Sequence, residues 1–444
     1  MLINKPLILS TGTGVAPAYT IDQSIRFNFG DSPYMYKTPS STGNRKKFTN
    51  SFWFKPSSKL GVYRALPSVH TTENGGSYGM FFSTADVLQV FTYYNGSSWQ
   101  GLHYSNRVFR DVSAWYHFVW AVDTTQAVSS ERVRIYINGV RETSWSSESY
   151  PSLNQDTSFN HSGEAINIGK DHNAGYYPDG YGAEIHYLDG YAYGPEYFGE
   201  FNSDGIWIPK EYTGSYGTNG FYIKGEDSAD LGNDSSGNGN DFTTSGLASD
   251  DQQPDSPTNN HCTWNPIEAE TLITYSNGNL AIAYSGSSAR NMARSTIQIP
   301  ASTDAFFEMV MTSNLGSGVD FAIGIEDGTA QSDNSNSIYN NAYIIREDGN
   351  FVDQSSSGSY GVSFTNTDVI GVWRKANGDL VFYKNGTAMN SGTPAKTGLT
   401  GTMFFVAGPF NGASAEARFA SSKWTNKPSG VTDSMALNTS NLGS

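Results

Sequence analysis

Residues 132–139 read RVRIYING, and this stretch indicates the fold class of the whole chain. Val133, Ile135 and Ile137 alternate with polar residues, which is the two-residue period of a half-buried strand. The strand runs directly into Asn138-Gly139, and Asn-Gly tolerates the positive φ angles of the tight turn that joins two antiparallel strands. The stretch therefore predicts a β-hairpin.

The same Tyr-x-Asn-Gly motif occurs four times, twice in each half of the chain, beginning at Tyr93, Tyr136, Tyr275 and Tyr383. Other short apolar runs are separated by Gly, Asn or Ser, which is typical of strands. Helical signal is scarce, and the best case, residues 195–201, predicts one or two turns at most. We therefore expect an all-β protein with two antiparallel β-sandwich (jelly-roll) domains in tandem.

Changes in composition predict where the domains begin and end. Residues 1–20 are expected to form an N-terminal arm, and residues 21–265 the first sandwich. This sandwich closes with a boundary segment, 227–265, which is rich in Asp, Asn and Gly. Residues 266–425 are expected to form the second sandwich, and residues 426–444 a polar C-terminal tail.

The composition also argues against several classes of protein. Acidic residues number 42 against 27 basic ones, and the net charge of −15 disfavours nucleic acid as a partner. Cys262 is the single cysteine, so the chain forms no intrachain disulfide and no cysteine zinc site. No apolar run approaches the ~18 residues of a membrane helix, and no secretion signal is evident. We expect folding in a reducing compartment without membrane insertion.

The first half resembles a known family. The strand Trp115–Val119, with Asp123 at its end and Tyr136–Gly139 after it, resembles the laminin-G-like, concanavalin-type jelly rolls. Further motifs follow in the same order, among them Ser51–Phe54 and Gly205–Lys210. Together, residues 20–265 resemble a jelly-roll family of bacteriophage tail fibres and other virion proteins. The resemblance implies a virion location for a protein that is made in the host cytoplasm.

The second half, from about residue 268 to residue 425, is similar to SPRY domains. The similarity rests on Phe306–Met309, Phe321–Ile325, Asp368–Trp373 and Leu380–Gly386, in the strand order that such domains use. SPRY domains are recognition modules without chemistry of their own. Both halves therefore imply recognition rather than catalysis.

Some jelly rolls of this type are glycosidases, which carry a Glu-x-Asp-x-x-Glu run on one face. This chain contains no Glu-x-Asp, and Glu184 and Asp189 lie in a stretch that resembles a structural strand of the family. His261 and Cys262 are adjacent residues of a loop, which rarely form a working dyad. We therefore predict a non-enzymatic protein. A glycan hydrolase with an unconventional carboxylate pair is the alternative.

Two predicted loops carry aromatic residues that suit a saccharide, because sugar C–H faces pack on flat rings and sugar hydroxyls bind uncharged polar groups. One loop spans residues 173–182 and the other spans residues 93–99. In the alternative interpretations these rings pack on the sheet or against a neighbouring subunit. The candidate carbohydrate-binding residues are Tyr176, Tyr177, Asp179, Tyr181, Tyr94, Asn95 and Trp99.

The sequence indicates no required cofactor, and calcium is the one possible ion. Its candidate ligands fall within fifteen residues of the boundary segment, and Asp and Asn oxygens suit calcium. Alternatively, these side chains form turns by binding backbone amides. The candidate ligands are Asp227, Asp230, Asp234, Asn238 and Asp241.

Taken with the resemblances, these features predict a virion structural protein with lectin-like recognition. A tail fibre or related appendage that binds a host-surface glycan or receptor is the first expectation. A capsid decoration or head-fibre protein, which binds other virion proteins, is the alternative. Analogy with phage fibres implies a homo-oligomer, in which a trimer is the expected form, and the arm at residues 1–20 is expected to dock onto other virion proteins.

Overall fold

The computed structural model describes residues 19–58, 60–73, 76–94, 96–171, 176–267, 272–285, 292–313, 321–328, 342–353 and 356–442. The chain forms two compact units, divided between Asn259 and Asn260. Strands pair antiparallel in both units, so the predicted all-β fold with tandem sandwiches is confirmed. Residues 1–18 of the predicted arm and Asn95 lie outside the described residues.

The first unit contains the strands and 3₁₀ turns that follow. Its strands are β1 (Ser24–Phe27), β2 (Tyr34–Lys37), β3 (Lys47–Pro56), β4 (Arg64–Ala65), β5 (Val69–Glu73), β6 (Gly76–Phe82), β7 (Val87–Phe91), β8 (Leu102–Val108), β9 (Tyr116–Asp123), β10 (Val133–Ile137), β11 (Val140–Arg141), β12 (Trp145–Glu148), β13 (Ile166–Ile168), β14 (Gly180–Asp189), β15 (Gly199–Phe201), β16 (Trp207–Pro209), β17 (Phe221–Ile223), β18 (Thr243–Ser245) and β19 (Gln252–Gln253). Its 3₁₀ turns are Phe29–Asp31, Ser129–Glu131, Pro195–Tyr197 and Ser249–Asp251.

These strands form two large sheets that pack face to face. The eight-stranded sheet has the order β11-β10-β9-β3-β14-β1-β19, with β17 beside β14. The nine-stranded sheet has the order β12-β8-β7-β6-β5-β13-β2-β18, with β4 beside β6. Strands β15 and β16 form a small separate sheet. Side chains from the inner faces of both large sheets, such as Phe52, Phe82 and Phe118, share one apolar core.

The stretch RVRIYING forms the hairpin that its pattern predicts. Val133, Ile135 and Ile137 enter the core, and Ile137 pairs with Val140 across a two-residue turn. Asn138 and Gly139 have φ angles of 48° and 77°, as the turn requires. Asn385 and Gly386 form an equivalent turn in the second unit, with φ angles of 49° and 78°.

The second unit contains strands, 3₁₀ turns and one short helix. Its strands are β20 (Ile273–Ser276), β21 (Ala281–Tyr284), β22 (Ala293–Arg294), β23 (Ala305–Ser313), β24 (Phe321–Glu326), β25 (Ala342–Arg346), β26 (Asn350–Asp353), β27 (Ser356–Ser359), β28 (Val369–Arg374), β29 (Leu380–Lys384), β30 (Thr387–Ala388), β31 (Phe404–Pro409) and β32 (Ser414–Arg418). Its 3₁₀ turns are Met389–Gly392, Ser421–Lys423 and Asp433–Met435, and helix α1 is Thr439–Leu442.

Two sheets also form this second sandwich, in the orders β20-β21-β32-β23-β28-β29-β30 and β22-β31-β24-β25-β26-β27. The segment 426–444, predicted as a polar tail, packs partly against the second unit through apolar side chains. Val431 and Leu437 are buried, and the Cys262 backbone N–H donates to the Leu437 carbonyl at 2.9 Å. In the part of the chain that the structure describes, no helix is long and apolar enough to span a membrane.

Candidate functional site

The outer face of the nine-stranded sheet carries a concentration of aromatic side chains. Successive strand residues point to opposite faces, so Met80 and Phe82 enter the core and Phe81 points outward. Phe91 of β7 lies beside Phe81 on the same outer face. We call this outer surface the open face, and its members are Tyr63, Phe81, Phe91, Trp99, Leu102, Tyr104 and Tyr176.

Six rings of this face and its loops form a continuous row, here named the ring row. The row starts at Tyr176, whose ring centroid lies 4.6 Å from that of Tyr63. The following centroid distances are 5.4 Å for Tyr63–Phe81, 5.7 Å for Phe81–Phe91, 4.7 Å for Phe91–Trp99 and 5.0 Å for Trp99–Tyr94. The row therefore connects the two aromatic loops that the sequence singles out.

The rings of the row differ in exposure. Phe81 and Phe91 are only 2 % and 7 % exposed, so they form a closed apolar base. Tyr63, Trp99 and Tyr94 are half-buried, and Tyr176 is 36 % exposed. Tyr104 adds a further half-buried ring at 5.8 Å from Phe91. The arrangement offers accessible ring surfaces on a fixed support.

Polar groups gather at the Tyr63 end of the row. Burial raises the pKa of Tyr63, and the nearby Tyr104, Asp171 and Tyr176 raise it further. Burial likewise raises the pKa of Tyr104. Both phenols therefore stay neutral at physiological pH and can both donate and accept hydrogen bonds. Phenols therefore lie at both ends of the row, and the apolar rings of Phe81, Phe91 and Trp99 lie between them.

Asp179 and Tyr181 belong to the predicted site but lie away from the ring row. Asp179 is 3 % exposed, and its carboxylate accepts hydrogen bonds from Ser57 Oγ at 2.6 Å and from the Phe29 N–H at 3.2 Å. Asp179 therefore anchors the end of the loop. The loop prediction is wrong at Tyr181, because β14 begins at Gly180 and the alternation of that strand buries Tyr181 on the eight-stranded sheet.

Tyr177 lies in a second aromatic group rather than in the ring row. Its ring centroid lies 6.3 Å from that of Tyr34 and 6.4 Å from that of Phe29. Tyr34 in turn lies 5.9 Å from Tyr36, which is 41 % exposed. We call Phe29, Tyr34, Tyr36 and Tyr177 the tyrosine group. Alternation along β2 could have predicted that Tyr34 and Tyr36 face outward. Met35 lies between them and enters the core, so its two neighbours point to the opposite face.

The outer face of the eight-stranded sheet is also aromatic, but segments outside the sheet, residue 19 and residues 198–216, cover it. We call it the covered face. Its sheet residues Trp53, His117 and His186 are each less than 5 % exposed. Tyr222 of β17 is a further sheet residue of this face and pairs with His186. The side chains that lie over the sheet residues are Tyr19, Phe198, Trp207, Tyr212 and Tyr216.

A serine and a histidine meet on the covered face with a proton arrangement that does not suit catalysis. Trp207 Nε1 donates to His117 Nδ1 at 3.0 Å, and Ser51 Oγ lies 2.9 Å from His117 Nε2. Because Nδ1 accepts, the ring proton lies on Nε2 and is donated to Ser51. A general base would need the opposite tautomer. Burial and the neighbouring His186 lower the pKa of His117 to about 3.

Glu184 of β14 also lies on the covered face, at a register irregularity between Ala183 and His186. Its φ is 52°, and its carboxylate accepts hydrogen bonds from the hydroxyls of Tyr19, at 2.8 Å, and Tyr222. Burial alone raises the pKa of this carboxyl, but hydrogen bonds from His186 and the two tyrosines outweigh it and lower the pKa. Its oxygens are therefore already engaged within the protein.

Asp189 is the second carboxylate considered for hydrolysis. One of its oxygens accepts the Asn44 N–H at 2.7 Å, and the other accepts the Asn219 N–H at 3.0 Å. Asn160 Nδ2 donates a further bond at 3.0 Å. Asp189 is 6 % exposed, so this carboxylate connects three chain segments at the end of β14.

The candidate calcium ligands form turns. Asp234 Oδ1 accepts the N–H groups of Tyr222 and Ser236, while Oδ2 accepts Ser236 Oγ and the Asn240 N–H, all at 2.8–2.9 Å. Asp241 Oδ1 accepts the Asp234 N–H, and Asp227 Oδ1 accepts the Ala229 N–H.

Asn238 uses its amide as a donor, to the carbonyls of Gly217 and Gly220. The Asp230 backbone carbonyl accepts the Asn233 N–H. Over the described ranges, no group of three or more His, Cys, Asp or Glu side chains is placed to hold a metal ion. As arranged, this set does not fit calcium.

Comparison with known families places the ring row in a recognised type of domain. Residues 29–189 match the family described as the Concanavalin A-like lectin/glucanases superfamily. This match confirms the concanavalin-type jelly-roll resemblance over that range, which contains the ring row in full. The resemblance to bacteriophage proteins stays a prediction.

Among solved structures, the chain is similar to the SPRY domain of human HERC1, with 14 % identity and a TM-score of 0.28, covering 35 % of this chain and 96 % of that chain. Another human SPRY domain has 16 % identity and a TM-score of 0.27, with coverages of 33 % and 95 %. A heptameric SAP-like pentraxin from Limulus polyphemus has 15 % identity and a TM-score of 0.29, with coverages of 40 % and 80 %. No curated protein sequence matches the chain.

Proposed function

We propose that this chain is a non-enzymatic recognition protein that binds a saccharide on its open face. The observation that carries the proposal is the ring row, in which the half-exposed rings of Tyr63, Trp99 and Tyr176 connect over the closed base of Phe81 and Phe91. Flat rings on a fixed support offer contact area to sugar C–H faces at small entropic cost.

The polar character of the row supports a saccharide over a charged ligand. All six rings of the row are uncharged, and the raised pKa of Tyr63 keeps its hydroxyl protonated. Neutral hydroxyls suit the hydroxyls of a sugar, which both donate and accept. The match to a lectin and glucanase superfamily over residues 29–189 agrees with this choice.

Two features of the covered face support recognition without catalysis. The proton of His117 is donated toward Ser51, so this pair lacks the base that would activate a nucleophile. Glu184 accepts hydrogen bonds from two tyrosines and is 4 % exposed, so its carboxylate does not face a substrate cleft.

In this proposal the protein belongs to a bacteriophage particle, as a tail fibre or related appendage that is made in the host cytoplasm. The order of motifs that resembles virion jelly rolls supports this location. The partners would be a host-surface glycan and other virion proteins, and the assembly a homo-oligomer, trimeric by analogy. Deletion of residues 1–18 should prevent incorporation into particles while both units stay folded. Normal incorporation of the deletion variant would refute docking through the arm.

A glycan array with the purified full-length protein tests the saccharide proposal. Wild-type protein should bind a restricted set of glycans, and Tyr176→Ala and Trp99→Ala should each weaken that binding about tenfold. Tyr197→Ala is the matched control, because Tyr197 is 42 % exposed and stacks on Tyr193 at 4.1 Å, away from the ring row. Equal losses in the control, or unchanged binding in both ring-row variants, would contradict the proposal.

A further inference from the structure

Lys170 is a lysine of the first unit that lies over an aromatic ring. Its Nζ lies 4.2 Å from the ring centroid of Tyr34, and no carboxylate among the residues that the structure describes pairs with it. Within the same described ranges, carboxylates pair with nine other cations of this unit, namely Arg26, Lys46, Lys47, Lys55, Arg64, Arg107, Arg110, Arg141 and Lys224. Arg132, Arg134 and Lys210 donate to backbone carbonyls instead. Lys37, like Lys170, has no carboxylate partner among the described residues.

The position of Lys170 connects it to the proposed saccharide site. Lys170 follows β13, in the connection that also carries Tyr176 and Tyr177. Tyr176 begins the ring row, and Tyr177 belongs to the tyrosine group with Tyr34. Tyr176 and Tyr177 are consecutive residues, so one chain connection supplies a ring to each group. Lys170 lies in that connection and packs on Tyr34 of the tyrosine group.

A lysine over an aromatic ring keeps its full charge, because the ring attracts the ammonium without neutralising it. Its N–H groups remain available as donors to an anion. A carboxylate or sulfate would gain charge-assisted hydrogen bonds there, which are stronger than bonds between neutral groups. Tyr36, at 41 % exposure and 5.9 Å from Tyr34, offers a further ring surface for the sugar that bears the anion.

We propose that Lys170 and the tyrosine group form an anion-selecting subsite, so that the ligand of the open face is an acidic oligosaccharide. This inference rests on the proposed saccharide function and adds the class of sugar. The net charge of −15 repels densely charged polymers such as nucleic acids. A lysine that pairs with no carboxylate of the described residues suits a ligand whose negative charges are widely spaced along a chain of hydroxyl-rich units.

Calorimetric titration of the full-length protein tests the inference. Three oligosaccharides with one backbone are compared: a neutral form, a uronic acid form and a sulfated form. Lys170→Gln should weaken binding of the acidic forms by about threefold to tenfold and leave the neutral form within about twofold. Added salt should weaken only the acidic forms. The acidic form that loses more affinity identifies the preferred anion.

Lys224→Gln is the matched control, because Lys224 pairs with Glu226 at 2.9 Å and lies in no part of the ring row. It should change none of the three affinities, and Lys170→Arg should retain the preference for acid. If wild-type protein binds neutral and acidic forms equally and Lys170→Gln changes neither, the inference is overturned while the saccharide function stands. If none of the three binds and the glycan array is blank, both are overturned.

Discussion

The two outer faces of the first unit carry similar side chains but differ in what lies over them. On the covered face, Trp53 and His117 lie under Trp207, and Tyr19 and Tyr222 engage Glu184. On the open face, Phe81 and Phe91 are buried beneath their neighbours, while Tyr63, Trp99 and Tyr176 keep accessible surface. Aromatic content alone therefore does not locate a binding site in this chain. The segments that pack over each sheet decide which face keeps accessible rings.

The largest expected effect is on the stability of the covered face. Trp53 is 4 % exposed and stacks on His117 at 4.7 Å, so Trp53→Ala should lower the free energy of unfolding by about 3–5 kcal/mol. Tyr176→Ala on the open face should cost less than about 1 kcal/mol. Urea denaturation of the two variants measures the difference. Equal costs would remove the distinction between the faces.

Substitutions on the open face should affect glycan binding more than substitutions on the covered face. Variants of Tyr63 separate the contribution of its ring from that of its hydroxyl. Tyr63→Ala removes a ring that contacts both Tyr176 and Phe81, so affinity for the array-selected glycan should fall about tenfold or more. Tyr63→Phe keeps the ring and removes the hydroxyl, so affinity should fall about threefold. Isothermal titration measures both. A larger loss for phenylalanine than for alanine would contradict stacking as the main contribution.

The pH dependence of stability sharpens the comparison. The pKa of buried His117 is lowered to about 3, so the unfolded chain binds a proton below pH ~6.5 while the folded protein does not. Stability should therefore fall as pH decreases from about 6.5, by up to about 1.4 kcal/mol per pH unit for this residue. His70 and His103, each with a pKa lowered to about 4 by burial, act in the same direction.

Denaturation midpoints at pH 7, 6, 5 and 4 measure this slope. Glu184 adds to it at the acid end, since its lowered pKa contributes stability that is lost as pH falls through the folded value. His117→Gln should give a shallower slope than wild type. If His117→Gln leaves the slope of stability against pH unchanged, His117 does not contribute to it.

Glycan affinity should stay constant from pH 6 to 8, because the pKa values of Tyr63 and Tyr104 are raised.

The smallest expected effect is that of a chelator. The oxygens of Asp234 each accept two hydrogen bonds from the protein, so calcium removal should leave both glycan affinity and stability unchanged. Titration and denaturation with and without EDTA test this expectation. A loss of affinity that added calcium restores would require a metal site that differs from the observed turns.

The sequence predicts local features of this protein well. The alternation in RVRIYING and the Asn-Gly dipeptides predict hairpins, because their signal depends on neighbouring residues only. Tyr176 and Trp99, which lie in the ring row, are predicted as aromatic loop residues for a similar reason, since glycine and asparagine mark loop tips. Strand alternation around Met35 would also have predicted that Tyr34 and Tyr36 face outward. A search for aromatic residues in loops does not find them, because both lie in a strand.

Features that depend on the register of distant strands were beyond the sequence. Phe81 and Phe91 belong to the ring row because the register of β6 and β7 places both side chains on the outer face of the sheet. Nothing local in the sequence marks that face. Tyr181 lies five residues after Tyr176, yet the start of β14 at Gly180 places it on the other sheet. One change from loop to strand therefore separates residues that appear equivalent in the sequence.

Hydroxyl-radical footprinting with the selected glycan tests binding on the open face most directly, because it reports the accessibility of individual side chains. Tyr63, Trp99 and Tyr176 should oxidise more slowly when glycan is bound. Tyr197 and Phe201, which are 42 % and 53 % exposed away from the ring row, should oxidise at unchanged rates. Protection of Tyr197 and Phe201, with no change in the ring row, would contradict binding on the open face.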